Sequence, residues 1–121
     1  MSDAAPEQEL ELSADRTREL LGQGALLVDV RQDNEWEAGR IPGSIHVEMN
    51  ELTSRAGEIP RDRPLVFVCR GGSRSAMAAQ AFREAGYDAH SLSGGVTAWS
   101  DEARPLEPPG GEIVAPPLAP R

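Results

Sequence analysis

The sequence predicts an α/β domain built on a parallel sheet, and two observations carry that prediction. Ala25-Leu26-Leu27-Val28-Asp29-Val30 and Pro64-Leu65-Val66-Phe67-Val68 are largely continuous apolar runs rather than alternating ones, as in strands covered on both faces. Segments with helical start and stop signals lie between the strand-like runs, and strands alternating with helices imply parallel pairing. A chain of 121 residues with 39% hydrophobic content supports one domain with a modest core.

The polar, acidic residues 1–8 are expected to be disordered, and the domain is expected to span 9–102. Glu9-Leu10-Glu11-Leu12 alternates like a first strand. Ser13 can cap a helix through about Leu21, which Gly22 and Gly24 can end. The second strand is Ala25 to Val30, followed by a short helical turn over Asn34 to Ala38. Arg40-Ile41-Pro42-Gly43 reads as a turn, because proline fixes φ and glycine accepts values other residues resist. Ser44 to Val47 is a third strand, Met49 to Ala56 a helix, and Leu65 to Val68 the fourth strand.

After the fourth strand, Ser73 to Glu84 predicts a helix with Met77, Ala78, Ala81, Phe82 and Ala85 on one face. Asp88 to Leu92 is the fifth strand and Val96 to Ser100 a short helix. Six of the ten prolines lie at or after Pro105, so residues 103–121 read as a disordered or extended tail.

Twelve basic residues, all arginine, against twenty acidic ones leave a net charge of −8, which disfavours nonspecific nucleic-acid binding. The N-terminal residues lack the pattern of a signal peptide, and no apolar run approaches the ~18 residues of a membrane span. The expectation is a cytoplasmic protein without nucleic-acid or membrane partners. One cysteine can make neither an internal disulfide nor a Cys-rich zinc site, and His46 and His90 are far apart, so no metal and no cofactor are expected.

The chemistry concentrates in Cys69-Arg70-Gly71-Gly72-Ser73-Arg74-Ser75, which joins the fourth strand to the following helix. At such a junction unpaired N–H groups and the positive end of the helix dipole converge. The glycines let successive N–H groups turn inward around an anion, and these dipoles with the guanidinium groups favour a thiolate at Cys69. Arginine suits the companion role because its planar fork binds two oxygens of one oxyanion. Salt screens the repulsion of anions by the net charge beyond about 8 Å, leaving capture to local positive charge.

This loop, with Leu27-Val28-Asp29-Val30-Arg31, Glu35-Trp36, Gly39-Arg40-Ile41-Pro42-Gly43-Ser44 and Gly94-Gly95-Val96-Thr97-Ala98-Trp99, resembles the single-domain rhodanese (thiosulfate sulfurtransferase) family. The resemblance spans about Glu9 to Ser100. It implies a three-layer α/β/α fold with a five-stranded, mostly parallel sheet of order 3-2-4-5-1. It also implies transfer of a sulfane sulfur, typically from thiosulfate, through a persulfide on Cys69 to a thiol or cyanide, with no cofactor. Gly71, Gly72, Ser73, Arg74 and Ser75 would offer N–H groups to the sulfur or the oxyanion, and Arg70 and Arg74 would bind sulfonate oxygens. The related phosphatases and arsenate reductases have a loop one residue longer; the four residues between Cys69 and Arg74 favour sulfur over phosphorus. A noncatalytic sulfur-relay or binding module is the remaining alternative. Arg40 and Glu48 depart from the family's usual histidine and proline, which touches the rim and substrate selection only.

Asp29, Arg31 and Glu35 are candidates to support the loop from the end of the second strand, Asp29 or Glu35 pairing with an arginine, against the plainer reading of a structural ion pair. Trp36 and Trp99 read as core or rim packing, His46 as a strand residue, and His90 shows no sign of a role. Ser73 and Ser75 can either bond the sulfur or cap the helix. The expected partners are a small anionic sulfur donor and a thiol or protein acceptor, to a monomer or weak dimer.

Overall fold

In the computed structural model, which describes residues 9–115, five short strands form one sheet. They are β1 (Glu11–Leu12), β2 (Leu26–Asp29), β3 (Ile45–His46), β4 (Leu65–Val68) and β5 (Ala89–Leu92). The spatial order is β1-β5-β4-β2-β3, the order the resemblance implies, and every pairing is parallel rather than most of them. The expected disordered start at 1–8 and the last six residues of the tail lie outside the described residues.

Among the described residues four α-helices cover the sheet: α1 (Ala14–Gly22), α2 (Asp33–Ala38), α3 (Ser73–Glu84) and α4 (Gly95–Asp101). Alternation along the strands sends side chains to opposite faces. Val28 and Phe67 pack with Ala78, Ala79 and Phe82 of α3 in one core. Leu27, Val66, Val68 and Leu92 pack with Leu20 of α1 and Val96 and Trp99 of α4 in the other. β4 is buried along its whole length, which explains its unbroken apolar sequence. Ser13 caps α1 as expected, its Oγ accepting from Arg16 N–H at 3.0 Å. No helix among the described residues is long and apolar enough to cross a membrane.

Two local expectations are corrected. Met49 to Ala56 is not one helix but a pair of 3-10 turns, Met49–Glu51 and Ala56–Glu58. Ser54 Oγ bonds the backbone here, donating to Glu51 O at 3.2 Å, a local bond that competes with helix propagation. On α3 the buried face is Ser75, Ala78, Ala79 and Phe82, while Met77 is 67% exposed and Ala81 and Ala85 are exposed. The stripe is rotated because Ser75 faces the end of β4.

Residues 103–115 have no helix and lie against the domain. Arg40 and Glu107 exchange backbone bonds of 2.8 and 2.7 Å, Glu112 N–H donates to Ala38 O at 2.8 Å, and Trp99 Nε1 donates to Pro105 O at 2.8 Å. Leu106 and Ile113 pack on the α1/α4 core. The two apolar residues anchor a proline-rich segment whose own sequence favours no regular element.

Candidate active site

Cys69 follows β4 directly and is 1% exposed. Three donors reach its Sγ: Gly72 N–H at 3.1 Å, Ser75 N–H at 3.4 Å and Ser75 Oγ at 3.4 Å. Gly72, at φ 110°, turns the chain into α3, a left-handed conformation that only glycine adopts without strain. The loop carbonyls are drawn the other way by α4, where Val96 N–H donates to Cys69 O at 2.9 Å and Thr97 N–H to Arg70 O at 3.1 Å. Carbonyls bonded outward leave the N–H side of the loop for the sulfur. The close approach requires Gly95: a Cβ on it would lie 2.3 Å from Cys69 O and 2.5 Å from Arg70 O.

Four alternating charges lead from β2 to the loop. Asp29 and Arg31, both fully buried, form a two-toothed pair, with Arg31 Nε 2.9 Å from Oδ1 and Nη2 2.8 Å from Oδ2 of Asp29. Arg31 Nη2 also donates to Gly39 O at 2.8 Å, tying the end of β2 to the end of α2. Glu35 sits in the first turn of α2 and folds back so that Oε1 accepts Gln32 N–H at 3.0 Å, a helix-capping contact that turns its carboxylate inward. There it receives Arg74 Nη1 at 3.0 Å and Nη2 at 3.2 Å. Burial opposes ionisation of Glu35, but the Arg74 and Gln32 hydrogen bonds and the charges of Arg74 and Arg31 together hold its carboxyl below the ordinary 4.5. The Glu35 hydrogen bond, against a smaller desolvation cost, raises the pKa of Arg74, and the charges of Glu35, Cys69 and Asp29 act in the same direction.

The sequence from 13 to 102 matches the family model for the rhodanese-like domain. The chain belongs to the rhodanese-like family. It is 36% identical over 86 residues to the thiosulfate sulfurtransferase GlpE of Pseudomonas syringae, covering 70% of this chain and 81% of that one. A sulfurtransferase of Allochromatium vinosum is 37% identical over 90 residues, 74% of this chain and 84% of the relative. Among solved structures, a rhodanese-related protein from Thermoplasma volcanium superposes with a TM-score of 0.76 at 26% identity, covering 81% of this chain and 97% of the other.

Within this rhodanese domain, Gly72 and Ser75 meet at Cys69, and Arg74, paired with Glu35, stands close enough for its charge to act on the sulfur. Asp29 and Arg31 stand one step back, as a buried ion pair bracing β2 and α2 rather than touching the loop. Arg70 is exposed and lines a groove with Thr97, Ser100, Asp101, Glu112 and Ile113. Ser73 and Gly71 are exposed on the outer turn. Arg74 also lines a hollow of about 210 Å³ with Val30, Gln32, Glu48, Met49 and Asn50, so Glu48 stands at its rim.

Several contributors were not singled out from the sequence. Ser91 of β5 is fully buried with its Oγ 2.8 Å from Ser75 Oγ; a serine in a strand carries no sequence signal of such a role. The first N–H groups of α4 act through backbone, and the Gly94-Gly95 pair was the only trace of them. Trp36 packs at the rim, stacked on His46 at 4.8 Å with an 8° tilt and covered by the Arg40 guanidinium at 4.8 Å. His46 Nε2 donates to Arg31 O at 2.7 Å. His90, without apparent role in the sequence, is buried with its ring nitrogens against Glu9 O and Asp88 Oδ1, at 2.5 and 2.8 Å.

Proposed function

We propose that this chain is a sulfurtransferase in which Cys69 carries a sulfane sulfur from thiosulfate or a persulfide donor to a thiol or cyanide. The observation that supports this most is the convergence of Gly72 N–H, Ser75 N–H and Ser75 Oγ on the buried Cys69 sulfur. The Cys69 thiolate attacks the outer sulfur of thiosulfate. A new S–S bond forms, the old one breaks, and sulfite leaves with the electron pair. The acceptor thiolate or cyanide then attacks the terminal sulfur, and the pair of the Cys69–sulfur bond returns to Sγ. This is covalent catalysis in two half-reactions.

In both half-reactions negative charge arrives at or leaves Sγ, so donors already in place need no reorganisation as the reaction proceeds. The backbone N–H groups of Gly71, Ser73 and Arg74 are assigned to the terminal sulfur or the sulfonate oxygens. Arg70 at the exposed rim is assigned to the anionic donor. Arg74, with two N–H groups committed to Glu35, keeps a partly exposed edge, 28% of its side chain, for the same anion. The loop is one residue shorter than that of the phosphatases it resembles, which supports sulfur rather than a tetrahedral phosphate as the cargo. A relay that takes sulfur only from a protein donor would use the same cradle.

The test is turnover: thiosulfate plus cyanide should give thiocyanate with the native chain and none with Cys69→Ser. Arg74→Ala should weaken thiosulfate use far more than folding. Absence of turnover with thiosulfate and with small persulfide donors, against cyanide and thiols alike, would sink the enzyme reading.

A further inference from the structure

Beneath the candidate nucleophile lies a hydroxyl chain that runs out of the loop into the sheet. Ser91 is fully buried in β5, its backbone fixed by Ser91 N–H donating to Leu10 O at 2.7 Å and by its register opposite Phe67 of β4. Its Oγ is 2.8 Å from Ser75 Oγ, its one hydrogen-bond partner among the described residues. Ser75 Oγ in turn lies 3.4 Å from Cys69 Sγ and 3.1 Å from Gly72 O.

The protons in this chain can be assigned by counting. A buried hydroxyl left without an acceptor is costly, so the Ser91 proton goes to Ser75 Oγ. That occupies one lone pair of Ser75 Oγ and excludes the rotamer in which Ser75 donates back to Ser91. The single Ser75 proton then has two acceptors, Gly72 O, which is the ordinary helix-local bond, and Cys69 Sγ. Charge on the sulfur decides between them, since a bond to an ionised acceptor is about twice as strong as a neutral one. Each hydroxyl also polarises the next.

We propose that Ser91 is a positioning residue that acts through Ser75: its hydrogen bond polarises the Ser75 hydroxyl and strengthens that hydroxyl's bond to the sulfur whenever Sγ is negatively charged, at the start of the first half-reaction and the end of the second. The proposal rests on the reading of Cys69 as the sulfur carrier, but its test needs no sulfur transfer. Cys69 is the only thiol, so its alkylation by iodoacetamide reports the sulfur alone. Across a pH series Ser91→Ala should shift the alkylation profile to higher pH and slow the reaction at pH 7 by about 1.3-fold to 4-fold, the effect of losing a roughly 10–30% polarisation of one charge-assisted hydrogen bond. Ser75→Ala should shift it further, and adding Ser91→Ala to Ser75→Ala should produce no additional shift. Ser91→Thr, which keeps the hydroxyl, should retain the native profile. Urea unfolding of each variant separates folding from chemistry.

An unshifted profile in a folded Ser91→Ala chain overturns the proposal. So does a shift that persists undiminished in the Ser75→Ala background. Failure of sulfur loading with a normal Ser91 effect would instead overturn the sulfurtransferase reading and leave the relay standing.

Discussion

Gly95→Ala places a methyl group where α4 meets the sulfur loop, and the structure sets the size of the consequence. The new Cβ would sit 2.3 Å from Cys69 O and 2.5 Å from Arg70 O. Ordinary carbon–oxygen contacts begin near 3.3 Å, so the loop carbonyls or α4 must move by about 1 Å. Both carbonyls are held by α4, at 2.9 Å from Val96 N and 3.1 Å from Thr97 N, and a shift of that size breaks these bonds. Residue 95 also has φ 61°, which costs a residue with a Cβ about 1–2 kcal/mol. With about 1 kcal/mol for each lost hydrogen bond, the stability loss is about 3–4 kcal/mol, within what a folded domain survives. Displacing the loop also misaligns the Gly72 and Ser75 donors on Sγ, and a 1 Å misplacement costs about 100-fold in rate. Urea unfolding and the rate of sulfur loading from thiosulfate measure the two effects, with Gly57→Ala, where a Cβ meets nothing within 4 Å, as control. A Gly95→Ala chain as stable and as fast as the native one refutes the assignment of α4 as the clamp on the loop.

Other substitutions probe the charges. Glu35→Gln should cost about 2 kcal/mol by weakening the two charge-assisted bonds to Arg74. Because the carboxyl is held below the ordinary 4.5, its stabilisation is present above pH 4.5 and is lost as pH falls through the lowered value. Unfolding curves of native and Glu35→Gln chains should therefore converge in acid; a gap that widens there contradicts the pairing. Arg31→Met leaves Asp29 buried and unpaired, with an expected loss of about 3–5 kcal/mol, whereas Glu19→Gln, which breaks the exposed pair with Arg16, should leave the urea midpoint nearly unchanged. Glu48→Gln removes a carboxylate from the rim of the hollow that holds Arg74, and the thiosulfate KM should fall about twofold to fivefold while use of an uncharged persulfide stays constant. An equal effect on both donors would place Glu48 outside the approach path.

The parts of the fold written in local pattern were legible before any coordinates. The unbroken apolar runs at β2 and β4, the Ser13 cap and the glycines around Cys69 each imposed one conformation, and the structure has each element within a few residues of its expected place. The sheet order came from family resemblance, since pairing between distant strands leaves no mark in a single sequence. The segment after Glu48 misled because Met49 to Ala56 has helical composition while the Ser54 hydroxyl bonds the backbone of Glu51. Met77 misled because a period of 3.6 fixes the width of an apolar stripe but not its rotation, and the contact between Ser75 and Cys69 sets that rotation here. At the site, the loop chemistry was readable from residue type and spacing. The partner of Arg74 was legible only as a possibility, Glu35 lying 39 residues away, and Ser91 was silent because its role depends on what lies across the sheet.

Whether Cys69 carries sulfur is read from the intact mass of the protein after incubation with thiosulfate, and separately with a small persulfide donor. A gain of one sulfur atom is expected, located on Cys69, absent in Cys69→Ser and removed by cyanide or a thiol. A folded native chain that gains no sulfur from either donor, or gains it equally without Cys69, would contradict it.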